Sequence, residues 1–197
     1  VSYRLAPRHP WPAAGADVRA AVRFIRAQAE ELGVDPDRIG LMGFSAGGHL
    51  AALAAVSANA SSFPGELPAH SDASSSVAAA VVIGGLGDLT LVDTPSGERL
   101  LAVFLGSTGS RLLRKAREAS PVTWIDSDDP PILIVHGEDD PIVPVKHAMA
   151  FYQALLDGGV DVTLKVIPGQ GHMPAPGADG GAAARFLDAH LGGLLAR

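Results

Sequence analysis

The 197-residue chain contains no cysteine. That excludes disulfides, thiolate metal sites and a cysteine nucleophile. Positive charge is scarce too: 15 Lys and Arg stand against 21 Asp and Glu, for a net charge of −6. Nucleic-acid and anionic-membrane surfaces need clustered Lys and Arg, so neither partner is expected. Long hydrophobic runs are missing. The longest, from Val77 to Gly87, falls well short of the ~20 residues that span a bilayer and reads as a buried strand. No internal repeat is present, and no pair of histidines has a metal-ligand spacing, so no metal and no cofactor is expected.

Hydrophobic residues make up 47% of the chain, enough for a sizeable core. The length suits one domain covering residues 1–197. Strand-like and helix-like segments alternate, which predicts an α/β fold with a mostly parallel sheet flanked by helices. Strands are expected at Val1–Tyr3, Arg38–Gly43, Val77–Gly84, Ile132–His136 and Val160–Ile167. A helix is expected over residues 16–32, where Val18, Ala21, Val22, Ile25, Ala29 and Leu32 recur at helical spacing; Asp17 suits its first turn and Gly33 its end. Further helices are expected at Ala46–Ser57, Arg99–Leu105, Arg111–Ala119, Val145–Leu156 and Ala178–Leu195. Residues 57–76 and 88–125 read as loop or helical excursions.

Between the second strand and its helix stands Gly43-Phe44-Ser45-Ala46-Gly47. A serine between glycines at a strand-to-helix turn matches the nucleophile elbow. The turn would lift the Ser45 hydroxyl above the sheet edge. It would also put the Ala46 N–H at a helix N-terminus, where a developing negative charge is stabilised. Gly43 and Gly47 are both expected to lack side chains because strand and helix approach closely.

A serine hydroxyl needs a base near neutral pH. The elbow predicts an acid and then a histidine, each following a later strand. Gly137-Glu138-Asp139-Asp140-Pro141 follows one strand, and Pro168-Gly169-Gln170-Gly171-His172 follows the next. The order Ser45, Asp140, His172 puts all three at the carboxyl ends of strands, where open α/β sheets bind ligands. Asp139 is the alternative acid. Three adjacent acids would raise one another's pKa if buried together, so at least one should face solvent. His136 and His49 read as packed structural histidines, and His147 and His190 as surface residues on helices. Phe44, Leu86, Leu89, Val143 and Met173 are candidates for the walls of a substrate pocket. Asp88 suits either that pocket or a turn cap, and Trp11 and Trp124 either a pocket rim or loop anchors.

These stretches, with Tyr3-Arg4-Leu5-Ala6-Pro7 and Asp35-Pro36-Asp37-Arg38-Ile39, resemble α/β-hydrolases of the hormone-sensitive-lipase and acetyl-esterase branch. The resemblance runs from residue 1 to about 173. It implies a serine carboxylesterase acting on small-molecule, short-chain acyl esters through an acyl-enzyme, with Ser45, Asp140 and His172 as the triad and Ala46 as a backbone oxyanion donor. It also implies a His-Gly-Gly-Gly-type loop and early strands that this sequence does not contain. The chain therefore reads as an N-terminally truncated version of the fold, expected to be a weak esterase alone. An unpaired edge strand is a liability, so a homo-oligomer through the sheet edge is a further expectation. Two alternatives stay open: a prolyl-oligopeptidase-like serine peptidase, and a remnant that keeps the triad without full activity.

Overall fold

The computed structural model describes residues 1–60, 62–175 and 177–193. Four parallel strands form one sheet in the order β1-β2-β3-β4: β1 is Gly40–Phe44, β2 Ala79–Ile83, β3 Ile132–Gly137 and β4 Val162–Ile167. Registers include Met42 against Val81, Val82 against Ile134 and Ile134 against Leu164. The helices are α1 (Ala13–Ala27), α2 (Ala29–Leu32), α3 (Ala46–Val56), α4 (Pro95–Leu105), α5 (Ser110–Ala119), α6 (Lys146–Asp157) and α7 (Ala182–His190).

The two central strands are apolar on both faces, as a parallel sheet covered by helices requires. Side chains alternate across a strand, and the core divides accordingly. Ala80, Val82, Ile132 and Ile134 pack with Val22 of α1, Ala52, Ala55 and Val56 of α3, and Phe151 and Leu155 of α6. Val81, Leu133 and Val135 face the other way, onto Phe186 and Leu187 of α7. Helix α3 is buried from Gly48 through Val56, and its alanines let it lie close to both the sheet and α1.

Among the described residues four strands stand where five were expected. Val1–Tyr3 forms no strand, because no ladder partner lies beside it among the described residues. Tyr3 packs instead on Ala14, Val18, Leu50 and Ala54. The outer edge of β1 carries no pairing among the described residues. The helix expected over 16–32 begins earlier, directly after Pro12, and breaks at Gln28 into α1 and α2. Asp17 therefore lies inside α1, where it holds Arg4 through Nη2 at 2.7 Å and the Arg4 N–H at 2.8 Å. Gly33 ends α2 in the left-handed region, φ 66°, as a helix-stop glycine does.

The described part of the excursion over 57–76 has no helix or strand, yet it is pinned. Glu66 takes the buried guanidinium groups of Arg19 and Arg23, and Arg19 lies 4.6 Å over the Phe63 ring. The second excursion contains α4 and α5, and Thr94 caps α4 by accepting from the Gly97 N–H. Helix α7 starts later than expected because the Asp179 carboxylate first turns the chain, accepting from the N–H groups of Gly181 and Ala183. Residues 194 and 195, the expected end of that helix, lie outside the described residues. No helix among the described residues is long and apolar enough to cross a membrane.

Candidate active site

Ser45 occupies the turn between β1 and α3 with φ 54° and ψ −121°. A side chain rarely adopts a positive φ, so the surroundings must hold it there. The Ser45 N–H donates to the Ile83 carbonyl at 2.8 Å. The close approach that forces the turn involves three glycines. A Cβ on Gly43 would sit 2.1 Å from the Gly47 carbonyl oxygen, one on Gly48 2.9 Å from the Ile83 oxygen, and one on Gly85 2.8 Å from the His49 nitrogen.

Gly47 does not share this constraint, contrary to the sequence expectation: a Cβ there meets nothing within 4 Å. It lies on the open side of the first turn of α3. Gly43→Ala is accordingly expected to cost about 3 kcal/mol. Gly47→Ala should lie within about 1 kcal/mol of the parent, on the stabilising side. Urea denaturation of the two variants checks this; equal losses would contradict the geometry.

Asp140 follows β3 and is buried. Its Oδ1 accepts from the N–H groups of Ile142 and Val143, each at 2.8 Å. Its Oδ2 accepts from His172 Nδ1–H at 2.7 Å. The opposite ring nitrogen, His172 Nε2, is 2.8 Å from Ser45 Oγ. Burial alone would push the Asp140 carboxyl up. The Val143 N–H, His172 and the Ile142 N–H outweigh it and hold the pKa below the usual carboxylate range. A carboxylate cannot donate, so the proton between these two residues belongs to His172 Nδ1. In the neutral ring that leaves a lone pair on Nε2, 2.8 Å from the Ser45 hydroxyl oxygen.

The loops carrying Asp140 and His172 are zipped together. Asp139 N–H donates to the Gln170 carbonyl and Glu138 N–H to that of Ile167. Gly137 is where they touch: a Cβ there would be 2.2 Å from the Gly171 oxygen. Glu138 and Asp139 are both exposed; Asp139 is not the residue that meets the imidazole. His136 is fully buried, and its Nε2–H donates to the Val143 carbonyl at 2.7 Å, which braces the turn that cradles Asp140. Ala46 is the first residue of the 11-residue α3, so its N–H has no partner within the helix.

A cavity of about 400 Å³ opens beside Ser45 and Ala46. Leu86, Leu89 and Val143 line it. Phe44 and Met173 do not. They border a separate hollow of about 280 Å³ with Ile83 and Val135. Phe44 points to the other side of the elbow, where its ring lies 5.1 Å from that of His172, and Met173 is 75% exposed. Among the described residues, no group of three or more His, Asp or Glu could hold a metal ion.

The sequence profile of the BD-FAE family matches residues 1–155, most of the chain. The chain belongs to the BD-FAE family. Among curated relatives, the esterase LipC of Mycobacterium tuberculosis is 37% identical over 177 residues, covering 87% of this chain and 43% of LipC. The esterase LipQ of the same organism is 38% identical over 164 residues, covering 81% of this chain and 38% of LipQ. The chain thus spans about two fifths of the length of these relatives. Among solved structures, a truncated carbohydrate esterase from gut microbiota superimposes with a TM-score of 0.85 at 28% identity, over 97% of this chain and 73% of that one. Esterase Est2 of Thermogutta terrifontis gives 0.75 at 28% identity, over 96% and 68%. The parallel sheet flanked by helices is the α/β-hydrolase fold that the motifs implied.

Several residues of this site are not legible in the sequence. Leu101 and Phe104 of α4 and Tyr3 also line the cavity; their contribution depends on where α4 and the segment before α1 pack, which no local pattern records. His147, expected at the surface, is buried at 3% exposure and lines the cavity too. His49 packs beside the elbow, its Nδ1–H donating to the Leu86 carbonyl at 2.8 Å. His190 is exposed as expected. Asp88 caps a turn, accepting from the Thr90 N–H and hydroxyl. Trp11 packs between Phe63 and Phe104, and Trp124 Nε1–H donates to the Glu118 carbonyl, so both anchor loops.

Proposed function

We propose that this chain is the catalytic unit of a serine carboxylesterase that hydrolyses short-chain acyl esters through an acyl-enzyme. The observation that carries the reading is the continuous relay from Asp140 Oδ2 through His172 to Ser45 Oγ, with links of 2.7 and 2.8 Å. In this reading Ser45 Oγ attacks the ester carbonyl while His172 Nε2 takes its proton. The carbonyl oxygen becomes an oxyanion held by the Ala46 N–H at the positive end of α3. His172 then returns the proton to the departing alkoxide, leaving acyl-Ser45. Water, deprotonated by His172, releases the acid and restores the serine. Asp140 keeps the proton of His172 on Nδ1 and stabilises the imidazolium.

The comparisons support this reading. LipC and LipQ are named esterases. Esterase 2 of Thermogutta terrifontis has been solved with propionate and with butyrate bound, and phosphonylated by sarin. A cavity of about 400 Å³ must hold both halves of the ester, which favours a small acyl group.

A fluorophosphonate probe and a series of p-nitrophenyl esters test the proposal. Labelling should be confined to Ser45, and kcat/KM should peak at acetate to butyrate and fall at least tenfold by decanoate. Absence of labelling would overturn the mechanism. A preference for decanoate would overturn the short-chain assignment alone.

A further inference from the structure

The cavity beside Ser45 is walled mostly by carbon, with Leu86, Leu89, Leu101, Phe104 and Val143 on it. His147, the second residue of α6, is an exception that the relay does not use. Its side chain is almost wholly buried, yet it lines this cavity. Its Nδ1 is shut off from solvent and has no hydrogen-bond partner among the described residues. Burial first, and then the neighbouring Lys146 charge, lower its pKa, and His136 adds to them; Asp93 and Asp88 act the other way without outweighing them. The ring is therefore neutral near pH 7, with one N–H and one lone pair.

Orphaned buried N–H groups are rarer than orphaned acceptors, so the lone pair belongs on the enclosed Nδ1 and the proton on Nε2. Since Nδ1 has no open surface, the ring nitrogen left to meet the cavity is Nε2. Two other histidines, His9 and His49, also line the cavity; His49 differs in that it commits its Nδ1–H to the Leu86 carbonyl.

We propose that His147 is a specificity-determining residue whose Nε2–H donates to a second oxygen of the substrate, so that esters carrying an ether or hydroxyl oxygen are selected over their all-carbon counterparts. This rests on the esterase reading above. The ester carbonyl itself belongs at the Ala46 N–H, so the oxygen that His147 recognises is a different atom. A donor in an apolar cavity discriminates because a methylene placed against it leaves a buried N–H unpaired.

The test uses isosteric pairs. On the alcohol side these are 2-methoxyethyl against butyl acetate, and 2-ethoxyethyl and 3-methoxypropyl against pentyl acetate. On the acyl side the pair is ethyl methoxyacetate against ethyl butyrate. The ratio of kcat/KM within each pair is compared between the parent and its variants, which cancels intrinsic reactivity. For at least one pair His147→Leu should lower the ratio about fivefold or more, while His147→Gln, which keeps a donor, should hold it within about twofold. The pair that responds tells which half of the ester carries the oxygen.

Fluorophosphonate labelling of Ser45 is measured in parallel. Unchanged labelling with unchanged ratios in His147→Leu would overturn this proposal and leave the esterase reading intact. No labelling of the parent would overturn the esterase reading first. Should His147→Leu fail to fold, the ring ¹⁵N shifts of His147 in the parent decide: a neutral ring protonated on Nε2 at pH 7 supports the assignment, and a ring protonated on Nδ1 refutes it.

Discussion

Ser45→Ala is expected to lower kcat for p-nitrophenyl acetate by about 10⁶-fold, the scale seen when a serine hydrolase loses its nucleophile. The change removes one oxygen and leaves the turn as it is. Ser45 has φ 54°, and alanine inherits that backbone with the same Cβ and the same bond from its N–H to the Ile83 carbonyl. The melting temperature should therefore stay within a few degrees of the parent, which separates loss of chemistry from loss of fold. No covalent intermediate can form in the variant. What remains is His172 acting on a water and the Ala46 N–H acting on the carbonyl, so a small residual rate above the uncatalysed reaction is expected. Steady-state rates, with a burst experiment on the parent, check both parts. A variant that kept even one per cent of parental turnover would show that Ser45 is not the attacking group.

Ser45, Asp140 and His172 could be picked out from sequence because each lies in a short motif at a strand end. A parallel sheet brings successive strand ends to one side, so chain order alone predicted that the three would meet. Asp140 and Asp139 are harder to tell apart in the sequence. The structure separates them by the turn in which Asp140 Oδ1 takes the N–H groups of Ile142 and Val143, while Asp139 is exposed. What the sequence did not disclose depends on distant packing. Gly47 and Gly48 are chemically identical in a string, and only the path of α3 over the Ile83 carbonyl decides which one is constrained. Phe44 flanks the serine, yet the sharp turn sends it to the far side of the elbow. His147 reads as solvent-facing on its helix because the segment carrying Asp88 and Asp93, whose charges act on it, belongs to a remote excursion. Val1–Tyr3 has the composition of a strand, but strand structure needs a neighbour as well as a propensity.

Asp140→Asn should cost about 10⁴-fold in kcat while leaving the structure in place. An asparagine is nearly isosteric with the aspartate, and its carbonyl oxygen can keep both backbone bonds, from Ile142 and Val143, that Oδ1 now accepts. Those two bonds fix the orientation of the amide, so the NH₂ group takes the position of Oδ2, 2.7 Å from His172 Nδ1. An NH₂ can only donate there. His172 must then turn its lone pair to Nδ1 and carry its proton on Nε2, facing Ser45. A ring nitrogen already protonated cannot accept the serine proton, and the attacking group loses its base. The defect should ease at high pH, where hydroxide removes the serine proton without help, so the gap to the parent narrows as pH rises toward 10. Asp140→Ala should behave differently. It strips both backbone bonds as well, leaves the buried Val143 N–H and the part-buried Ile142 N–H without that partner, and should lower the melting temperature by several degrees. Measuring kcat from pH 6 to 10 together with melting curves for both variants separates tautomer control from simple bracing. If Asp140→Asn retained a tenth of parental activity at pH 7, the carboxylate would have no part in setting the His172 proton.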